Sequence, residues 1–259
     1  MGTLVGITLF ARTAAEAKNA FGLAYGRMAA LDRMLTDYDS ASELNQLGTT
    51  ARRVSAELFT VLSFAKQLSE ASGGAFDVTV GPLTKLWRKH LPMTEEARRL
   101  VNWRDVHLEH GEVRLGKPGM QLDLGAVGKG FAADEMLKSL RGAGISRVLI
   151  AASGDIVCGD APPGLRGWAV SAGGKRITLR QGAVSTSGDT NQFFEKDGRR
   201  FSHIIDPRTG AALSDVVEVS VAGPTGMVAD ALATTARVMG ISAVSSLLNR
   251  YHARIVGAR

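Results

Sequence analysis

A single cysteine, Cys158, in 259 residues excludes an intramolecular disulfide and any cysteine-built metal centre. It sits in the apolar run Asp155-Ile156-Val157-Cys158, where a small buried hydrophobe is its expected role. Long hydrophobic runs are also missing. No stretch of about 18 apolar residues occurs, so no transmembrane span is expected. The start, Met1-Gly2-Thr3-Leu4-Val5-Gly6-Ile7, reads as a turn entering a strand and lacks the basic beginning of a secretory signal. Charge is not concentrated either: the net +6 comes from 31 basic and 25 acidic residues spread along the chain. Arg52-Arg53, Arg88-Lys89-His90 and Arg98-Arg99 are short and lack interleaved aromatics. They read as solvated surface, which argues against a nucleic-acid partner. Repeats, low-complexity tracts and linkers are absent as well.

Glycine and apolar side chains are plentiful. Thirty glycines and 45 % hydrophobic residues supply turns and a large core. Apolar spacing predicts a strand over Leu4–Phe10 and an amphipathic helix over Ala14–Leu35, with Ala17, Phe21, Ala24, Met28, Leu31 and Leu35 on one face. A second helix is expected over Glu57–Ala71, stopped by Ser72-Gly73-Gly74, and a short one after Gly81-Pro82. Short strands are expected over Val106–Leu124, then a helix over Gly128–Leu140. Further strands are expected near Arg147–Ala151, Asp155–Gly159, Gly167–Ser171, Arg176–Leu179, Ala183–Thr186, Arg200–Ile205 and Val216–Val221. Helices over Gly226–Met239 and Ile241–Tyr251 close the chain. Early helices and a strand-rich middle point to an α+β fold rather than a regular doubly wound sheet.

Three segments offer chemistry. In Gly226–Met239, Asp230 and Thr234 lie one helical turn apart, so a carboxylate and a hydroxyl face the same way. Val228, Leu232, Thr235 and Met239 form the packing stripe nearly opposite. The pair reads either as a solvated polar face or as a hard-cation site, and the flanking Ala229, Ala231 and Ala233 would let a ligand lie close. Such a carboxylate–hydroxyl pair suits Mg²⁺, which keeps room for water and phosphate oxygens. Gln121-Leu122-Asp123-Leu124-Gly125-Ala126-Val127-Gly128-Lys129-Gly130-Phe131 reads as a strand passing through glycines into a helix. Its backbone N–H groups and Lys129 could receive an anion, or the glycines could simply make a tight turn. The spacing is not that of a Walker A loop, and Gly128-x-Gly130-x-x-Ala133 only mimics a dinucleotide fingerprint. Finally, His203 ends an apolar run before Asp206-Pro207. It could be structural, or a base oriented by Asp206; Ser185, Thr186 and Ser187 could line the same pocket or belong to an ordinary strand and turn.

Taken in order, these motifs resemble the ApbE family of FAD:protein FMN transferases. The resemblance runs from Met1-Gly2-Thr3 through Leu35-Thr36-Asp37-Tyr38, Ser42-Glu43-Leu44-Asn45 and Ser72 to Leu83. It continues through Asp123 to Gly130, Ser153-Gly154-Asp155-Ile156, Ser185 to Asp189, Ser202 to Gly210 and Ala229 to Thr235. It implies one domain over residues 1–259, built of two packed α/β subdomains with mixed, largely antiparallel sheets. It also implies an enzyme that binds FAD and Mg²⁺ and attaches FMN to a Thr or Ser hydroxyl of a client protein, releasing AMP. Matched residue by residue, Asp230 and Thr234 would hold the metal through side chains and Ala126 through its carbonyl. Met1, Tyr38, Ala75, Phe76, Asp77, Asp123, Lys129, Ile204 and Ala233 fall where the family contacts FAD. His203, with Asp206 beside it, matches the histidine that activates the acceptor. Two other readings stay open: an FAD pyrophosphatase, which shares these residues, and a flavin- or nicotinamide-binding module without catalysis, built on Gly128-x-Gly130-x-x-Ala133. Family members are commonly exported and lipid-anchored, so both the cell envelope and the cytoplasm stay open as locations.

Overall fold

Thr13 starts the longest helix. Its hydroxyl accepts from the Glu16 N–H, and every third or fourth side chain thereafter is buried, from Ala20 to Leu35. The computed structural model describes residues 4–188, 192–196 and 198–259. The first half contains β1 (Val5–Leu9), α1 (Ala14–Leu35), β2 (Arg52–Arg53), α2 (Ala56–Ala71), α3 (Gly81–Arg88) and α4 (Glu95–Arg99). The hairpin of β3 (Val106–Glu109) and β4 (Glu112–Leu115) leads to α5 (Gly128–Gly142). Strands follow: β5 (Val148–Ala152), β6 (Asp155–Cys158), β7 (Trp168–Ala172), β8 (Lys175–Leu179), β9 (Gly182–Ser187), β10 (Phe193–Lys196), β11 (Arg199–Ser202) and β12 (Val219–Gly223). The chain ends with α6 (Gly226–Met239), α7 (Ser245–Arg250) and β13 (Arg254–Ala258).

The central sheet has the order β1-β5-β6-β9-β12-β13, and all its pairings are antiparallel. This is the α+β arrangement expected from the sequence. Alternation along the strands gives the sheet two apolar faces. Ile150, Val157, Ala183 and Val221 join the large core with α1, α2, α5 and α6. Cys158, Val184 and Ala222 face the β7–β8 hairpin, where Trp168, Val170 and Leu179 cover them. Cys158 is fully buried, the small hydrophobe its setting predicted.

Four expectations need correction. No strand forms over Gly116–Leu124; this segment is held by single bonds such as the Asp123 N–H to the Val78 carbonyl, 2.8 Å. The last helix is shorter than Ile241–Tyr251. Strands β10 and β13 were not anticipated. Lastly, α6 has no solvated face: it packs against α5, β9 and β12, and Ala229, Asp230, Ala231 and Ala233 are all buried.

Helices α5 and α6 cross at backbone contact. A Cβ on Gly130 would stand 2.1 Å from the Gly226 carbonyl oxygen, and one on Gly226 would stand 2.4 Å from the Gly130 oxygen. Asp134 ties the crossing by accepting from the Gly226 and Met227 N–H groups at 2.7 and 2.9 Å, at the N-terminus of α6. Burial outweighs these two bonds and lifts the Asp134 carboxyl to about 6.

Candidate active site

A cavity of about 700 Å³ opens where α5, α6 and the ends of β6 and β9 meet α3 and the residues after β11. That volume falls in the range of small-molecule sites. Its wall includes Tyr38, Ala75, Phe76, Asp77, Asp123, Ala126, Lys129, His203, Ile204, Asp230 and Thr234. Eleven candidates scattered over two hundred residues of sequence therefore share one space. A more open groove of about 770 Å³ beside α1 carries only Arg12 and Glu16 as charged lining, and these pair with each other at 3.2 Å.

One wall is built on buried charge. The Asp230 carboxylate accepts from the Gly130 N–H at 3.1 Å and stands 3.5 Å from the Lys129 ammonium. Lys129 also lies 3.5 Å from Asp155 and donates to the Gly125 carbonyl at 2.8 Å. Burial, reinforced by the neighbouring Asp155 charge and opposed by Lys129, pushes the Asp230 carboxyl above the ordinary carboxylate range. Burial works against the Lys129 charge, but the two carboxylates prevail and hold it above its usual range. Thr234, one turn on from Asp230, meets the Ser187 hydroxyl at 3.3 Å. Among the described residues no group of three His, Cys, Asp or Glu side chains assembles. A cation here would rest on one carboxylate with hydroxyl and carbonyl oxygens, a hard-donor set compatible with Mg²⁺.

Of the two readings of the glycine loop, the tight turn is favoured by its glycine N–H groups, which are given to protein: Gly125 to Asp123 at 2.8 Å, Gly128 to the Leu124 carbonyl at 2.7 Å, and Gly130 to Asp230. Gly130 is required for the helix crossing. Of the charge expected there, Lys129 does reach the cavity.

A second wall is held by Arg88, which bonds Asp37 through one guanidinium nitrogen and Asp123 through the other at 2.7 Å. Its guanidinium carbon lies 4.4 Å from the Tyr38 ring centre. Tyr38 is largely exposed, leaving ring surface available for stacking. Asp77 is occupied internally: Thr79 donates to one oxygen through N–H and hydroxyl, and the Trp103 N–H donates to the other at 3.0 Å. Burial still raises its carboxyl above the ordinary range.

Opposite stands His203, packed edge-on to Trp87 at 6.2 Å. Its Nδ1 lies 3.0 Å from the Gln192 carbonyl, which can only accept, so in that bond Nδ1 carries the proton. Asp206 is turned elsewhere. Its carboxylate accepts from the Arg208 backbone and guanidinium, each at 2.9 Å, and it is not on the cavity wall. Ala233 is likewise fully buried in the core and away from the wall. Met1 and Asp189 lie outside the described residues.

A sequence profile of the ApbE family matches residues 1–256. The chain belongs to the ApbE family. It is 34 % identical to the FAD:protein FMN transferase of Treponema pallidum over 97 % of this chain and 80 % of that one. The corresponding Klebsiella pneumoniae protein is 30 % identical over 93 % of this chain and 77 % of its own length. Among solved structures, a histidine variant of the flavin transferase ApbE from Vibrio cholerae superposes with a TM-score of 0.87 at 26 % identity, covering 98 % of this chain and 90 % of that one. The ApbE protein of Thermotoga maritima gives 0.86 at 27 % identity, covering 98 % and 91 %.

Within this ApbE-family site, sequence reasoning missed Arg88 and Asp155. Arg88 was read as solvated surface, yet it is tied to two nearly buried aspartates. Asp155 was read as the head of an apolar strand. A carboxylate starting an otherwise buried strand was the available signal.

Proposed function

We propose that this protein transfers FMN from FAD to a Thr or Ser hydroxyl of a client protein, in a reaction that depends on Mg²⁺, forms a phosphoester and releases AMP. The observation that carries the reading is one cavity with the Lys129–Asp230–Thr234 wall on one side and the His203 imidazole on another. Similarity to the FAD:protein FMN transferases of Treponema and Klebsiella supports it.

Asp230, Thr234 and the Ala126 carbonyl would hold the divalent cation. When bound, that ion offsets charge on the pyrophosphate and stabilises the phosphoryl-transfer transition state. Lys129 adds a fixed positive charge at the same wall. Tyr38, braced by Arg88, presents a ring face for a planar part of FAD. His203 Nε2 takes the proton as the acceptor oxygen attacks the FMN phosphorus. The bond from that phosphorus to the bridging oxygen breaks, and AMP departs with the electron pair.

The test is mass spectrometry of a Thr-containing client fragment incubated with the protein, FAD and Mg²⁺, with and without EDTA. A metal-dependent gain of one FMN with AMP release supports the transferase. Free FMN and AMP on an unlabelled client would make the protein a pyrophosphatase. Intact FAD throughout would leave a flavin-binding protein.

A further inference from the structure

Asp155 has no task in that chemistry, yet it sits directly behind the charged wall, against Lys129. It is buried, and its Oδ1 accepts from the Ser185 hydroxyl on the neighbouring strand, its direct partner in the β6–β9 register. The other oxygen, Oδ2, is buried with no hydrogen-bond partner among the described residues. It stands 3.5 Å from Lys129 Nζ. Lys129 is at the same 3.5 Å from Asp230 Oδ1. Two carboxylates thus flank one ammonium, and one of them has a buried acceptor atom unfilled. An unfilled buried acceptor is destabilising and needs a reason.

We propose that Asp155 is a positioning residue that takes over the Lys129 ammonium when Asp230 is committed to a divalent cation. The inference rests on the metal part of the proposed function. Asp230 cannot serve both positive charges fully. With Asp155 alongside, a small movement of Nζ turns a 3.5 Å ion pair into a charge-assisted hydrogen bond to Oδ2. Lysine and cation then occupy the site together, each with its own carboxylate. The Gly125 carbonyl, which already accepts from Nζ, keeps the ammonium at the cavity during the exchange.

The experiment is a double-mutant cycle read by Mg²⁺ titration calorimetry on the full chain without FAD: wild type, Asp155→Asn, Lys129→Met and the double variant. Asp155→Asn is expected to weaken Mg²⁺ binding about tenfold with Lys129 present and less than about twofold in the Lys129→Met background. Equal losses in both backgrounds would mean that Asp155 acts on the cation directly, and no loss would mean that it does not act; either overturns the proposal. Failure of the wild type to bind Mg²⁺ would instead remove the metal reading, and this inference with it. Should Asp155→Asn not fold, a crystal structure of the wild type with Mn²⁺ located by anomalous scattering decides. Nζ should lie about 3 Å from Asp155 Oδ2 and have withdrawn from Asp230. An ammonium still on Asp230, or clear of both carboxylates, overturns the inference.

Discussion

The two sides of the cavity are made differently. The side carrying Lys129, Asp230 and Thr234, with Asp155 buried behind it, is built from two helices in backbone contact and the central strands of a six-stranded sheet. The side carrying His203 follows a two-stranded hairpin, β10–β11, whose support is aromatic. Phe194 stacks on Phe201 at 5.1 Å and also meets Trp87 at 5.7 Å and His90 at 4.7 Å. Phe193 on the same hairpin is exposed, with Arg200 over its ring. Charge stabilisation needs groups fixed before the reaction, and the first wall supplies that fixity. An acceptor side chain arriving on another protein needs a surface it can reach, and the exposed Phe193 lies on the hairpin that leads to His203.

Substitutions at the two walls should therefore fail in different ways. The severest is Gly130→Ala, which sets a methyl 2.1 Å from a backbone oxygen. It should cost at least about 3 kcal/mol of stability in chemical denaturation, and an unchanged midpoint would refute the close crossing. Next, Asp230→Ala should leave a folded protein but remove metal-dependent transfer; a wild-type rate with undiminished metal dependence would overturn the metal assignment. His203→Ala should reduce transfer about 10²–10⁴-fold while FAD binding stays near wild type. Parallel losses in both would count against a base and in favour of a binding role. Arg88→Lys keeps the charge but loses the fork that spans Asp37 and Asp123, so FAD affinity should fall about tenfold by fluorescence titration.

The last prediction concerns pH. The folded Asp134 carboxyl titrates near 6, above its unfolded value near 3.8. The folded state therefore keeps this proton longer, and the stability contribution of Asp134 falls as pH rises from about 4 to about 6, then stays level. Asp134→Asn should flatten that part of the stability-versus-pH curve by about 1–3 kcal/mol. A wild-type-minus-variant difference that is constant with pH would show that Asp134 is not held in a desolvated state.

Elements with strong local signals were legible in the sequence. The bounds of α1 and α6 match the expected Ala14–Leu35 and Gly226–Met239, because a capping threonine and a long apolar period mark each. Strand β13 was not legible: it follows a helix directly and owes its pairing to β12, some thirty residues earlier. Gln121–Leu124 looked like a strand because its apolar residues alternate, yet Leu122 and Leu124 are buried without a ladder partner. The candidate site was visible as residue types but not as partnerships. Lys129 meets Asp230 across 101 positions, and Asp155 meets Ser185 only through strand register. Local pattern carries no record of either. It also left Gly130 open, where the demand for glycine comes from a neighbouring helix rather than from an anion.

The α5–α6 crossing has one more consequence. Gly130 and Asp134, one turn apart on α5, grip α6 at Asp230 and at its first two residues. Sliding α6 by one residue would translate it about 1.5 Å and rotate it about 100°, breaking every one of these attachments together. The pair of helices works as a jig. The backbone positions that carry Lys129 and Asp230 are set when the chain folds, and no ligand is needed to set them afterwards.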